Sequence, residues 1–178
     1  GMTTSPVLEE LRARARDSQS EVHELGTWAD VARFALELAG SEDVAVTPTL
    51  AAARPELATA LGERMRQPDP EAPFASIADA AVGIAEGMLA VAESGSVLLA
   101  HDELADRAVS MLSRIGVQVV PRDRIVASLD DAAVWLDANE GAASLVSLVT
   151  GPSRTADIER SLTIGVQGPS DLHLVILG

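Results

Sequence analysis

The sequence predicts an α/β fold: a mostly parallel sheet flanked by helices, with β-hairpins attached. Short apolar runs rich in Val, Leu and Ile alternate with stretches of helical periodicity through most of the chain. These runs stop at Gly, Pro, Asn and Asp, the residues that punctuate such folds. A chain of 178 residues with 47% hydrophobic composition also has enough apolar surface for an ample core. One domain is expected over residues 1–178, with residues 1–25 as an N-terminal helical arm.

Ser5 and Pro6 open a charged helix that runs to about Asp17, with Ser5 as N-cap and Pro6 in the first helical position. Ser20 to Leu25 alternates weakly and reads as an edge strand, with His23 at its surface. Thr27 and Asp30 have the spacing of a capping box for a helix to Ala39, and Gly40 ends it. Its stripe of Trp28, Val31, Phe34, Ala35 and Leu38 is expected in the core. Asp43 to Thr47 is a short strand closed by Pro48, and Arg54 to Met65 is a second helix. Gln67 to Pro73 is a proline-rich loop, while Ile77 to Val82 suits either helix or strand.

Met88 to Ala92 and Val97 to Ala100 form a hairpin across Glu93-Ser94-Gly95-Ser96. Ala105 to Ser113 is helical, and Val117 to Val120 is a buried strand broken by Pro121. Leu129 to Ala138 is a helix with Leu129, Ala132, Ala133 and Leu136 inward, stopped by Asn139-Glu140-Gly141. Ser144 to Val149 is a strand, after which Gly151-Pro152 turns the chain and Ser153, Arg154 and Thr155 start a short helix. Leu162 to Val166 and Leu172 to Leu177 are the last strands, joined at Gly168-Pro169, with His173 in the second.

Composition narrows the function. Twenty-seven acidic against 13 basic residues give a net charge of −14, and aromatics are 2%, which disfavours nucleic-acid partners. With zero cysteines there is no thiolate nucleophile, disulfide or cysteine-held iron–sulfur cluster. No apolar stretch approaches the roughly 20 residues that span a bilayer, and no leader peptide is visible. A cytoplasmic location without membrane insertion is the expectation. Gly1 before Met2 reads as a tag remnant. The glycine and serine spacings match neither a phosphate-binding loop, nor a dinucleotide fingerprint, nor a nucleophile elbow. His, Asp and Glu do not cluster at metal-ligand spacing, so no metal is expected.

Two predicted strand ends carry small polar residues, and ligands of open α/β sheets sit at strand ends. In the first, Glu93 offers a carboxylate for acid–base or nucleophilic work, beside the donors Ser94 and Ser96 and the flexible Gly95. In the second, Gly151, Ser153, Arg154 and Thr155 gather backbone N–H groups, hydroxyls and a guanidinium suited to a carboxylate or phosphate, with Asp157 to orient Arg154. The same residues also read as an ordinary surface hairpin and an ordinary helix cap.

At these residues the chain resembles the LUD domain, lactate-utilisation protein C (LutC) family. The resemblance runs from about Ala80 to Gly178 and rests on Gly151-Pro-Ser-Arg-Thr-Ala-Asp-Ile-Glu159, Gly165-Val-Gln-Gly-Pro169 and Val91-Ala-Glu-Ser-Gly-Ser-Val-Leu98. It implies a fold of the sugar-phosphate isomerase and CoA-transferase-like class. It also implies an accessory role in oxidising L-lactate to pyruvate, beside partner proteins that carry the iron–sulfur clusters, with no cofactor on this chain. Two positions depart from the pattern. Gln167 stands where the family usually has His, and Gln cannot titrate near neutral pH; Gly83-Ile84-Ala85 replaces Gly-Ile-Thr. Under the resemblance Arg154, Ser153 and the adjacent backbone would bind a small anionic metabolite, with Glu93 facing it as a polar or acid–base group and Gln167 among the ligand-binding positions. The competing expectations are a stand-alone enzyme on a sugar phosphate, acyl-CoA or folate-like substrate, and a non-catalytic sensor or scaffold.

Overall fold

The structure is a computed structural model that describes residues 5–101, 104–139, 146–157 and 169–178. It opens with helix α1 (Pro6–Asp17), for which the Ser5 hydroxyl accepts from the Leu8 N–H as the sequence predicts. Strand β1 (Ser20–Leu25) and helix α2 (Trp28–Ala39) follow, the latter closed by the complete Thr27–Asp30 capping box. After β2 (Asp43–Val46), Pro48 begins a helix instead of only ending a strand: α3 (Pro48–Ala53) is capped by Thr47. Proline at the first helical position has no N–H to lose, so the same residue stops one element and starts the next. The helix expected over Arg54 to Met65 is shorter, α4 (Pro55–Leu61), because Gly62 at φ +60° caps it; β3 (Met65–Arg66) follows.

The ambiguous stretch near Ile77 resolves as strand β4 (Ala80–Glu86), buried along nearly its whole length. Next come β5 (Leu89–Val91), β6 (Ser96–Ala100), α5 (Leu104–Leu112), β7 (Ile115–Pro121) and the two-residue β8 (Ile125–Val126). Helix α6 (Leu129–Ala138) buries Ala132 and packs Leu136 inward as expected, but Leu129 and Ala133 face solvent, contrary to the expected stripe; Trp135 packs inward in their place. Strand β9 (Val146–Thr150) leads through a three-residue turn into β10 (Arg154–Asp157), and β11 (Asp171–Leu177) completes the order.

Among the described residues six strands form a parallel sheet in the order β1-β11-β7-β4-β2-β3. The expected hairpins do more than decorate it. They assemble a second sheet, β10-β9-β6-β5-β8, mostly antiparallel. Alternation decides the layers, since successive strand residues point to opposite faces. Val44, Val82, Val117, Val119 and Val175 face α2 and α4. Leu172, Leu174 and Ile176 face the other way, onto Leu8, Leu11 and Ala15 of α1 and onto Val97, Leu99 and Val149 of the second sheet. Helix α5 covers the same face farther along, and α6 covers the outer face of the second sheet. Among the described residues no helix is long and apolar enough to cross a membrane. The strand expected over Leu162 to Val166, and the end of the stop signal at Glu140-Gly141, lie outside the described residues.

Candidate functional site

In parallel sheets the strands' carboxyl ends converge on a crevice where helices begin and loops are free to vary. Here β2, β4 and β7 end at Val46, Glu86 and Pro121, and a crevice of about 330 Å³ opens beyond them. That is the size of a small-molecule pocket. Arg54, at the joint between α3 and α4, places its guanidinium in one wall. Its Nη2 donates to Glu86 Oε1 at 3.0 Å, and its Cζ sits 5.3 Å from the centre of the Trp28 ring. Its Nε is buried with no hydrogen-bond partner among the described residues, a donor that burial ordinarily forbids. Arg124 enters from the turn after β7, with its Cζ 5.3 Å from the centre of the Trp135 ring. Thr47, Gly87, Met88 and Ser110 fill out the lining, with the carboxylate of Asp106 beside them. Two guanidiniums steadied on aromatic faces suit a small carboxylate or phosphate. Such a ligand would compete with Glu86 for Arg54.

The residues that the sequence singled out lie elsewhere. Glu93, Ser94, Gly95 and Ser96 form the β5–β6 turn. The Glu93 carboxylate accepts from the backbone N–H of Leu129 at 2.5 Å and so caps α6. Ser96 is fully buried; its hydroxyl donates to Ser94 Oγ at 2.8 Å and shares a 2.6 Å hydrogen bond with Thr150 Oγ1. That bond joins the two sequence motifs, because Thr150 ends β9 immediately before Gly151.

The second motif differs from expectation in its backbone. Ser153, Arg154 and Thr155 do not start a helix. Gly151, Pro152 and Ser153 turn a hairpin, and Arg154 pairs with Thr150 and Thr155 with Val149 in an antiparallel ladder. Three-residue hairpin turns need one residue in the left-handed region, and Gly151 supplies it at φ +69°. No helix N-terminus is therefore present to bind an anion at Ser153. Ser153 and Arg154 are exposed, Thr155 is half-buried, and Asp157 belongs to β10. Gln167, with the rest of Gly165 to Gly168, lies outside the described residues.

Gly95 and Gly151 also let both turns approach α1. A side chain on Gly95 would sit 2.5 Å from the Ala15 backbone nitrogen, and one on Gly151 would collide with the Ser18 carbonyl. The motifs thus meet beneath the carboxyl end of α1. Between the two sheets Gly151, Pro152 and Thr155 line a cavity of about 20 Å³ with His101, Gln118 and Ser147. That space suits one water, and the buried Gln118 Oε1 has no partner among the described residues.

A further cluster escaped the sequence altogether. His23, expected as an isolated surface residue, hydrogen-bonds to His173, Nε2 to Nδ1 at 2.9 Å, and Glu21 stands beside both. Phe34 of α2 packs on the two imidazoles, with ring-centre distances of 4.5 and 5.4 Å. Burial pushes both histidines below their ordinary pKa, partly opposed by the Glu21 charge. Neither the crevice nor this cluster carries a sequence motif: each gathers residues from segments that only the topology brings together.

The LUD domain family model matches residues 8–177. Lactate utilization protein C 1 of Bacillus mycoides (strain KBAB4) is 38% identical over 108 residues, which take in 58% of this chain and 45% of that protein. Lactate utilization protein C of Macrococcus caseolyticus (strain JCSC5402) is 39% identical over 100 residues, 54% of this chain and 43% of that protein. The matched stretch thus spans less than half the length of these relatives. The crystal structure of a DUF162 family protein from Deinococcus radiodurans has the same fold, with a TM-score of 0.74 over 100% of both chains at 21% identity.

Proposed function

This chain belongs to the LUD domain family, and from that premise we propose that it is an accessory subunit of a system that oxidises L-lactate to pyruvate. The names of its relatives support the pathway. The observation that supports a binding role is the crevice at the ends of β2, β4 and β7, where Arg54 and Arg124 converge. In this reading a small organic anion, lactate or pyruvate in size, draws the Arg54 guanidinium from Glu86 and takes up its buried Nε–H. Electrons pass on through iron–sulfur partner proteins, since these residues include no cysteine to hold a cluster. Glu93 supports binding over catalysis, because its carboxylate is engaged at the start of α6. A second reading keeps the anion at Arg154, whose exposed position on β10 leaves it accessible.

The test is growth on L-lactate of a strain that lacks this gene and any second copy. It is complemented with wild type, Arg54→Ala or Arg154→Ala. Growth restored by wild type and Arg154→Ala but not by Arg54→Ala supports the crevice. The reverse pattern moves the ligand to the hairpin. Undiminished growth of the deletion strain removes the lactate role.

A further inference from the structure

The cluster of Glu21, His23 and His173 has the geometry of a metal site. Glu21 and His23 are two apart on β1 and so share one face of the sheet. Strand β11 runs parallel beside it in a register that sets His173 opposite Glu21. Side chains paired in this way point to the same face, so the three are neighbours although 150 residues separate the two histidines. Their ligand atoms are His23 Nε2, His173 Nδ1 and Glu21 Oε2. The two nitrogens lie 2.9 Å apart, and each lies 3.9 Å from the carboxylate oxygen. The point equidistant from all three falls about 2.1 Å from each, the length of a zinc–nitrogen or zinc–oxygen bond.

From this we propose that Glu21, His23 and His173 bind a divalent transition-metal ion of the zinc class. The donor set of two imidazoles and one carboxylate suits zinc and its late first-row neighbours, not magnesium or calcium. Without metal, one imidazole donates its N–H to the other. On binding, that ring moves its proton to its second nitrogen, so that both facing lone pairs reach the ion. The two nitrogens then part from 2.9 Å to about 3.4 Å, as tetrahedral bonds of this length require.

The surroundings fit. Phe34 closes one side and holds both rings in place, which limits the cost of ordering them. The Glu21 side chain is 69% exposed and free to swing inward. Beyond Glu21 and His173 lies an open hollow of about 680 Å³ at the amino ends of β1 and β11, which leaves a fourth coordination position for water or an anion. The Arg12 guanidinium at the rim is committed to Glu24 and the Val22 carbonyl. The site lies on the face packed by α2 and away from the strands' carboxyl ends, so it does not depend on the lactate reading.

The experiment is titration of the metal-stripped, untagged full chain with Zn²⁺ by calorimetry and with Co²⁺ by visible absorption. His23→Ala, His173→Ala and Glu21→Gln are run alongside. The expected result is one equivalent of Zn²⁺ per chain and a Co²⁺ spectrum of low coordination number. Loss of either histidine weakens binding by ~100-fold or more, and Glu21→Gln weakens it by ~10-fold. If a histidine variant does not fold, the wild-type imidazole NMR signals decide. The chain has three histidines, and Zn²⁺ must shift those of His23 and His173 while leaving His101 in place. No saturable binding, undiminished binding by the folded variants, or shifts confined to His101 would each overturn the site.

Discussion

Glu93 accepts a hydrogen bond from the backbone N–H of Leu129 at 2.5 Å, tying the β5–β6 turn to the first turn of α6 across 36 residues of sequence. A carboxylate there meets the positive end of the helix. Glu93→Ala is expected to lower stability by about 1 kcal/mol in urea denaturation. Glu93→Gln should cost less, because its amide oxygen still accepts. Lactate-dependent growth should survive Glu93→Gln; its loss in a variant of undiminished stability would return Glu93 to the chemistry.

The two positive-φ glycines under α1 make a sharper prediction. Alanine at Gly95 or Gly151 must adopt a left-handed backbone and push on the α1 main chain at Ala15 or Ser18. Each variant is expected to lose ~2 kcal/mol or more, read as a fall in the denaturation midpoint at unchanged slope. Alanine at Gly40, where the φ is also positive but nothing lies within 4 Å, keeps the backbone strain without the collision and should cost ~1–2 kcal/mol, less than at Gly95 or Gly151.

Ligand binding in the crevice should be visible in Trp28. The Arg54 guanidinium lies over its ring, so an anion that draws Arg54 away changes the indole's surroundings. Titration with lactate or pyruvate is expected to shift tryptophan emission in wild type and in Trp135→Phe, and to shift it less in Trp28→Phe, where Trp135 beneath Arg124 still reports, and in Arg54→Ala. An unchanged spectrum at saturation, with binding confirmed by calorimetry, would place the ligand outside the crevice.

Acid sensitivity should arise in part at the start of α2. Hydrogen bonds from Thr27 and Arg33 hold the Asp30 carboxyl below its ordinary value of 3.8. The folded state therefore binds this proton less readily than the unfolded chain. The stabilisation is complete above that ordinary value and is lost as pH falls through the lower folded value. Asp30→Asn should flatten this portion of the acid limb in thermal melts between neutral pH and pH 3 while leaving its neutral end level.

Local signals in the sequence located most helix starts. Ser5-Pro6 and Thr27–Asp30 cap where their spacing says, because a cap depends only on residues three or four apart. Proline and glycine were harder to weigh: Pro48 opened a helix, and Gly62 cut α4 short. Ser153-Arg154-Thr155 carried a helix-start pattern, yet pairing with β9 outweighed it. At α6 the apolar stripe misplaced Leu129 and Ala133 because the helix rests on the second sheet through Ala132, Trp135 and Leu136. The sites were the least legible part. Arg54 lies at a joint between helices, Arg124 in a turn, and the histidines on strands whose adjacency depends on a register that no local pattern encodes.

That adjacency also has a kinetic consequence. Among the described residues strand β1 enters the parallel sheet through β11, and α1 packs on Leu172, Leu174 and Ile176 of the same strand. During synthesis the α1–β1 unit therefore leaves the ribosome about 150 residues before the strand it pairs with, and the part of its apolar side that packs on β11 stays uncovered until then. Closure of the N-terminal unit is a late, long-range event. A nascent chain arrested before Asp171 would present Leu8, Leu11 and Val22 to whatever chaperone is at hand.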